Sequence, residues 1–198
     1  PSGGIRTIYR HVELLCAAGL SAAVVHESRR FAIRWFAHDV PVRRLRGLRP
    51  TADDVVVVPE ARPDLLFHPV ARSCRRVVFA QGWATIYREL PAGRRWTDAP
   101  GIDGVLANGR YVSEFVRRTM GIECTIVPPA VDPAIFHPSA DRALRIAFMP
   151  RKNPRDALHI ERILRMVAPA HDAVPFSPVV GLSETEVAAM LRGSAIFL

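Results

Sequence analysis

Apolar positions along this chain switch between two periods, one suited to helices and one to buried strands. Ile5, Ile8, Val12 and Leu15 recur at helical spacing, and Gly19 stands where a C-terminal cap belongs. Short apolar runs follow at 21–25, 54–58, 76–80, 104–107 and 125–127. Their continuous, Val-rich character suits parallel strands covered on both faces. Helices are predicted at about 64–73 and 111–120, the second ending at Gly121. Further on, a strand is predicted over 144–149 and a helix over 156–167, with Ile160, Ile163, Leu164 and Val167 on one face. Ser183-Glu184-Thr185-Glu186 reads as a capping box opening a helix that carries Val187, Met190 and Leu191, and 195–198 begins another strand. This alternation predicts a doubly wound α/β sheet. It divides into a first domain over 1–138, lacking its opening strand because a Gly-Gly turn normally follows one, and the start of a second over 139–198.

Composition agrees with a folded chain. Of 198 residues 49% are apolar and 23% charged, enough to build a core and too apolar for disorder. No run approaches the roughly 18 apolar residues of a membrane-spanning helix. The opening Pro1-Ser2-Gly3-Gly4, without Met or signal peptide, reads as the interior of a longer protein. Cys16, Cys74 and Cys124 are dispersed, which suggests neither a disulfide framework nor a zinc site, and points to a reducing cytoplasm. Net charge is +8, and of the 27 basic residues only Lys152 is lysine. With abundant Ala and Pro, that bias fits a GC-rich genome as much as selection for an anionic partner. The arginines are nonetheless clustered, which favours phosphates or an anionic membrane face. No nucleic-acid-binding motif accompanies them, so a nucleic acid is not expected. The seven histidines show no ligand spacing, and neither a Gly-x-Ser-x-Gly elbow nor a phosphate-binding Walker loop occurs.

The join between the two halves is the most distinctive stretch. VPPAVDPAIFHP (127–138) is followed by RIAFMPRKNP (145–154). The pair resembles the hinge of retaining glycosyltransferases of the GT-B architecture, particularly family 4, usually I-P-N-G-V-D-x-x-x-F-x-P before a strand and a basic loop. Val131, Asp132, Phe136 and Pro138 fall at the matching places, while Pro129-Ala130 stands for Asn-Gly. The resemblance covers most of the chain. It implies a GT-B fold of two Rossmann-like doubly wound domains, the second incomplete. The family's strongest donor signature, Glu-x7-Glu, follows the strand begun at 195–198, so these residues alone are expected to be inactive.

Four places carry candidate chemistry. Gly3-Gly4 lets the backbone approach a ligand, free N–H groups of the first helical turn favour an anion, and Arg6 adds positive charge. An ordinary tight turn is the alternative. Arg151-Lys152 follows the strand at 144–149, where ligands of open α/β sheets sit, and suits a diphosphate leaving group. The family has an Arg here and a Lys about five positions on. Asp156 occupies that spacing in this chain, leaving Lys152 or Arg155 as the second cation. A solvated basic loop is the alternative. Gln81, where the family often has His, offers an amide for a sugar hydroxyl, with Trp83 or Tyr87 to stack on a sugar face. A core Trp beside a capping amide is the alternative. Asn108 lines the same cleft or caps the helix behind it. Finally, 28–50 interleaves Phe31, Ile33, Trp35 and Phe36 with Arg29, Arg30 and Arg34, then adds Arg43, Arg44, Arg46 and Arg49. That mixture suits peripheral contact with an anionic membrane, or a sheet-edge strand with a solvated basic loop.

By resemblance, the whole enzyme moves a sugar from a nucleotide diphosphate donor to a hydroxyl acceptor, carbohydrate or lipid-linked. It acts with retention, without metal or cofactor, in the cytoplasm, in bacterial surface polysaccharide or glycolipid synthesis. The absence of Asp-x-Asp disfavours the metal-dependent GT-A type. A nucleotide-sugar epimerase of the same architecture, or a non-catalytic basic module binding anionic lipid or nucleic acid, are the alternatives.

Overall fold

Glycine ends both helices of the first half of the chain. In the computed structural model, which describes residues 3–28, 30–87, 90, 93–99, 101–151 and 154–198, helix α1 spans Gly3–Ala17. Gly19 follows with φ +82°, its N–H donating to the Cys16 carbonyl at 3.0 Å. Helix α2 (Arg110–Met120) ends the same way at Gly121, φ +71°, whose N–H reaches the Arg117 carbonyl at 3.0 Å. Both are left-handed caps that a Cβ would strain.

The chain is α/β, and every strand pairing among the described residues is parallel. β1 (Val24–His26) pairs with β2 (Val42–Arg44) as a separate two-stranded sheet. β3 (Val55–Pro59), β4 (Arg75–Ala80), β5 (Ile102–Ala107) and β6 (Thr125–Ile126) form a four-stranded sheet in sequential order. β7 (Ala143–Phe148) lies between β8 (Phe176–Pro178) and β9 (Ser194–Phe197) in a third. Helix α3 (Pro154–Val167) links β7 to β8, and α4 (Glu184–Arg192) links β8 to β9. These parallel sheets are compatible with a Rossmann-like α/β fold. Ser183 caps α4 as a capping box: its Oγ accepts from Glu186 N, and Glu186 Oε2 accepts from Ser183 N at 2.7 Å.

Two compact units result. One comprises Pro1–Ile33 and His38–Ala130, the other Arg34–Ala37 and Val131–Leu198. The core of the first is Val58, Val78, Ala80, Val105 and Ala107 from the sheet, packed with Leu66, Ile86, Trp96, Val112 and Val116. Arg76 is buried beside it, its guanidinium donating to the Leu66 carbonyl at 2.9 Å and its backbone N–H to Asp103 at 3.0 Å. The second unit buries Ile146, Ala147 and Phe148 of β7 together with Ala157, Val174, Val179 and Ala188.

One predicted helix is corrected. Residues 64–73 form two short 3-10 turns, Pro63–Leu66 and Pro69–Ser73, rather than one α-helix. Pro69 supplies no N–H and pushes the preceding residue out of helical conformation, and His68 accordingly sits at φ −66°, ψ 137°. β2 lies within 28–50, where a sheet-edge strand with a basic loop is one of the two readings; β8 carries no apolar pattern of its own, and the sequence does not announce it. No helix among the described residues is long and apolar enough to cross a membrane.

Candidate functional site

In the first unit, polar residues gather at the carboxyl end of the four-stranded sheet. The ladder continues one step past β3, β5 and β6: Glu60 N–H donates to Phe79 O (3.1 Å), Asn108 N–H to Ala80 O (3.0 Å) and Val127 N–H to Ala107 O (2.8 Å). Glu60 and Asn108 are therefore set by sheet geometry rather than by free loops, at the edge where open α/β sheets bind ligands, and Gln81 directly follows β4 between them.

Gln81 is held from two sides. Asn108 Nδ2 donates to its backbone carbonyl at 2.6 Å. Its side-chain amide lies against Gly4 in the first turn of α1: a Cβ there would stand 3.3 Å from Gln81 Oε1 and 3.4 Å from Nε2. Asn108 is thus a brace for the Gln81 loop and not the cap of α2, whose N-cap is Gly109 without a side-chain bond. Gly3 has open space around its Cα, and its carbonyl accepts from Thr7 Oγ1 at 3.0 Å.

Glu60 is the residue that sequence reasoning missed. It is only 5% exposed; Oε1 accepts from Thr85 Oγ1 at 2.8 Å, and Oε2 has no hydrogen-bond partner among the described residues. The Thr85 hydroxyl also lies 3.1 Å from the Gly82 carbonyl, so Glu60 ties down the short turn Trp83–Thr85. A carboxylate directly after the run Val55–Pro59 was the available signal, since charge at a strand's carboxyl end seldom serves packing.

Trp83 and Tyr87 stand on that loop, 51% and 49% exposed, their rings 6.0 and 6.4 Å from Phe115 of α2. Neither is core; the buried tryptophan of this unit is Trp96. Arg6 is engaged by Glu13 at 3.5 Å, beside Arg10 at 3.0 Å from the same carboxylate oxygen. Its charge is therefore partly neutralised one helical face away from Gly4.

The histidines near α1 are structural. Tyr9, 1% exposed, has its hydroxyl 2.6 Å from His26 Nε2, and the His38 ring meets it edge-on at 4.5 Å. Burial, then Arg44, then His38 hold the His26 imidazole below its ordinary pKa. His11 Nε2 lies 3.2 Å from the Pro128 carbonyl. Among the described residues no group of three His, Cys, Asp or Glu side chains is arranged to hold a metal ion.

In the second unit, Arg151 follows β7, the middle strand of its sheet, three residues past Phe148 and exposed. Strand order turns back at β7, with β8 on one side and β9 on the other, the kind of switch point where α/β sheets open a crevice. Arg155 lies in the first turn of α3, also exposed. Lys152 lies outside the described residues. Arg151 makes no ion pair among the described residues, leaving its fork available to an anion.

A scan against models of known protein families finds no match, and a search among curated proteins finds no relative.

Proposed function

We propose that the protein is a glycosyltransferase of the GT-B kind, moving a sugar from a nucleotide diphosphate to a hydroxyl acceptor. One observation carries this reading: Gln81, Glu60, Asn108 and the first turn of α1 converge at one carboxyl sheet edge, beside the exposed rings of Trp83 and Tyr87. Fixed amide and carboxylate groups beside aromatic faces are what a sugar requires, because its hydroxyls need directional partners and its C–H faces need apolar ones. On this reading Gln81 orients a sugar hydroxyl, and Trp83 or Tyr87 stacks on the ring. In the second unit, Arg151 with Arg155 or Lys152 stabilises the diphosphate as its negative charge grows during departure. The nucleotide sugar is substrate, and neither metal nor cofactor has a part in these roles.

The experiment is a panel of nucleoside diphosphate sugars, measured on the full-length protein for binding and for release of nucleoside diphosphate with and without sugar acceptors. Arg151-dependent binding, with release that requires an acceptor, is expected. Conversion of the sugar without any acceptor would point instead to an epimerase. No affinity for any nucleotide sugar would remove the reading.

A further inference from the structure

We propose that the turn Arg43-Arg44-Leu45-Arg46-Gly47-Leu48-Arg49 is a binding site for a phosphate group, independent of any glycosyl transfer. Arg43, Arg44, Arg46 and Arg49 line one concavity of about 360 Å³ together with Gly47 and Leu48. The backbone builds it. Leu45 N–H donates to His26 O at 3.0 Å, which pins the turn to β1, and Leu48 N–H closes it onto Leu45 O at 3.1 Å. Gly47 occupies the third place of that turn with φ +94°, a conformation side chains resist. The chain folds back there, so arginines on both sides of the turn face one space.

Several arginines elsewhere in the chain are compensated by a carboxylate. Arg62 is paired with Glu27 and Asp64, Arg117 and Arg118 with Glu114, and Arg165 with Glu161. No acidic residue lines the 43–49 concavity, and Arg43, Arg46 and Arg49 enter no ion pair among the described residues. Instead, backbone carbonyls orient two of the guanidiniums: Arg44 donates to Ser28 O, and Arg49 Nη1 to Leu48 O at 3.0 Å. For Arg49 that carbonyl fixes direction without cancelling charge. Like charges crowded into one concavity repel, and a multiply charged phosphate relieves that repulsion while its oxygens match the guanidinium fork.

The aromatic residues of 28–50 take no part. The Phe31 ring lies 4.6 Å from that of His26, and Trp35 packs edge-on against Phe36 at 4.7 Å, within a segment grouped with the other compact unit. What remains at 43–49 is therefore a site for phosphate chemistry rather than an aromatic-anchored interface.

Two sources present that chemistry, a free di- or oligophosphate and a lipid headgroup. Calorimetric titration with inorganic pyrophosphate at low salt tests the first. Co-sedimentation with phosphatidylcholine vesicles, with and without phosphatidic acid, tests the second. The variants are R46Q/R49Q and a matched-charge control R117Q/R118Q, each made in an R151A background, which removes the site assigned to glycosyl transfer from the titration. In that background saturable binding should weaken by about tenfold or more in R46Q/R49Q, given the strength of charge-assisted hydrogen bonds, and survive in R117Q/R118Q and in the R151A parent. Because both arginines are exposed, the melting temperature should not move; should the double variant fail to fold, R46Q alone makes the comparison. Pyrophosphate binding identifies a soluble ligand, and vesicle binding confined to phosphatidic acid identifies a headgroup. The proposal is overturned if neither probe binds, if R117Q/R118Q loses as much as R46Q/R49Q, or if R151A alone abolishes binding.

Discussion

Gly4 and Gln81 fit together at the carboxyl edge of the sheet: the space a Cβ at Gly4 would take lies 3.3 Å from the Gln81 side-chain oxygen. In a helix, replacing Gly by Ala stabilises by about 0.5–1 kcal/mol. Gly4→Ala should therefore leave melting unchanged or slightly raised, yet push the Gln81 amide aside. If Gln81 orients substrate, transfer should fall by about tenfold to a hundredfold, the scale of misplaced contacts. A double-mutant cycle with Gln81→Ala should show strong non-additivity. Additive effects would mean that the two residues do not act as a unit.

Glu60 offers a test of how the Gln81–Tyr87 loop is held. Glu60→Ala removes the acceptor of the Thr85 hydroxyl and should cost about 1–3 kcal/mol. Glu60→Gln keeps an oxygen for Thr85 and should recover much of that loss. Hydrogen exchange should show faster opening of the loop in the Ala variant alone. Equal protection in both variants would deny Glu60 this role.

Arg151 is exposed and outside the core, so Arg151→Ala should preserve the melting temperature. Nucleotide-sugar transfer should drop by about two to three orders of magnitude if the guanidinium stabilises the departing diphosphate. Unchanged transfer, measured as released nucleoside diphosphate, takes Arg151 out of the site.

Stability should decline in mild acid through His26. Its folded pKa is lowered, by burial first and by Arg44 and His38 after it, so the unfolded chain binds the proton more readily. The contribution is fully present above the unfolded value of about 6.5 and is lost as pH falls through the folded one. Denaturant midpoints at pH 8 and pH 5 should differ, and His26→Gln should reduce the difference. The ionisable groups around the imidazole are Tyr9, His38 and Arg44, and the Phe31 ring packs against it.

A stability contrast between two glycines checks the packing around Arg76. Gly101 has φ +72°, and a Cβ there would stand 2.8 Å from Arg76 Nη2. Gly101→Ala combines left-handed strain with overpacking and should cost about 2–4 kcal/mol. Gly109 has extended backbone, φ 180°, and nothing within 4 Å of its Cβ position. Gly109→Ala should be nearly neutral in thermal melting.

Local pattern alone determined much of this protein. The Val-rich runs at 54–58 and 76–80 name parallel strands, although only the second is largely buried, since Val55 and Val57 of the edge strand β3 are exposed; the glycines at 19 and 121 name helix ends because only they accept left-handed backbone. Ser183 and Glu186 announced α4 because their reciprocal bonds lie within three residues of each other. Pro69 overruled a helical stripe at 64–73, and that too was written in the chain, as a missing N–H. The site divides along the same line. Gln81, Asn108 and Arg151 were legible as polar residues behind strands. That Asn108 braces Gln81, that Gly4 yields space to its amide, and that Glu60 is buried against Thr85 depend on strands 20 to 30 residues apart lying in register. Likewise the arginines of 43–49 were visible as composition, but only the Gly47 turn and the tie to His26 bring them around one space. Sequence period fixes which face of an element is buried; which side chains meet across elements is decided by the sheet order that packing selects.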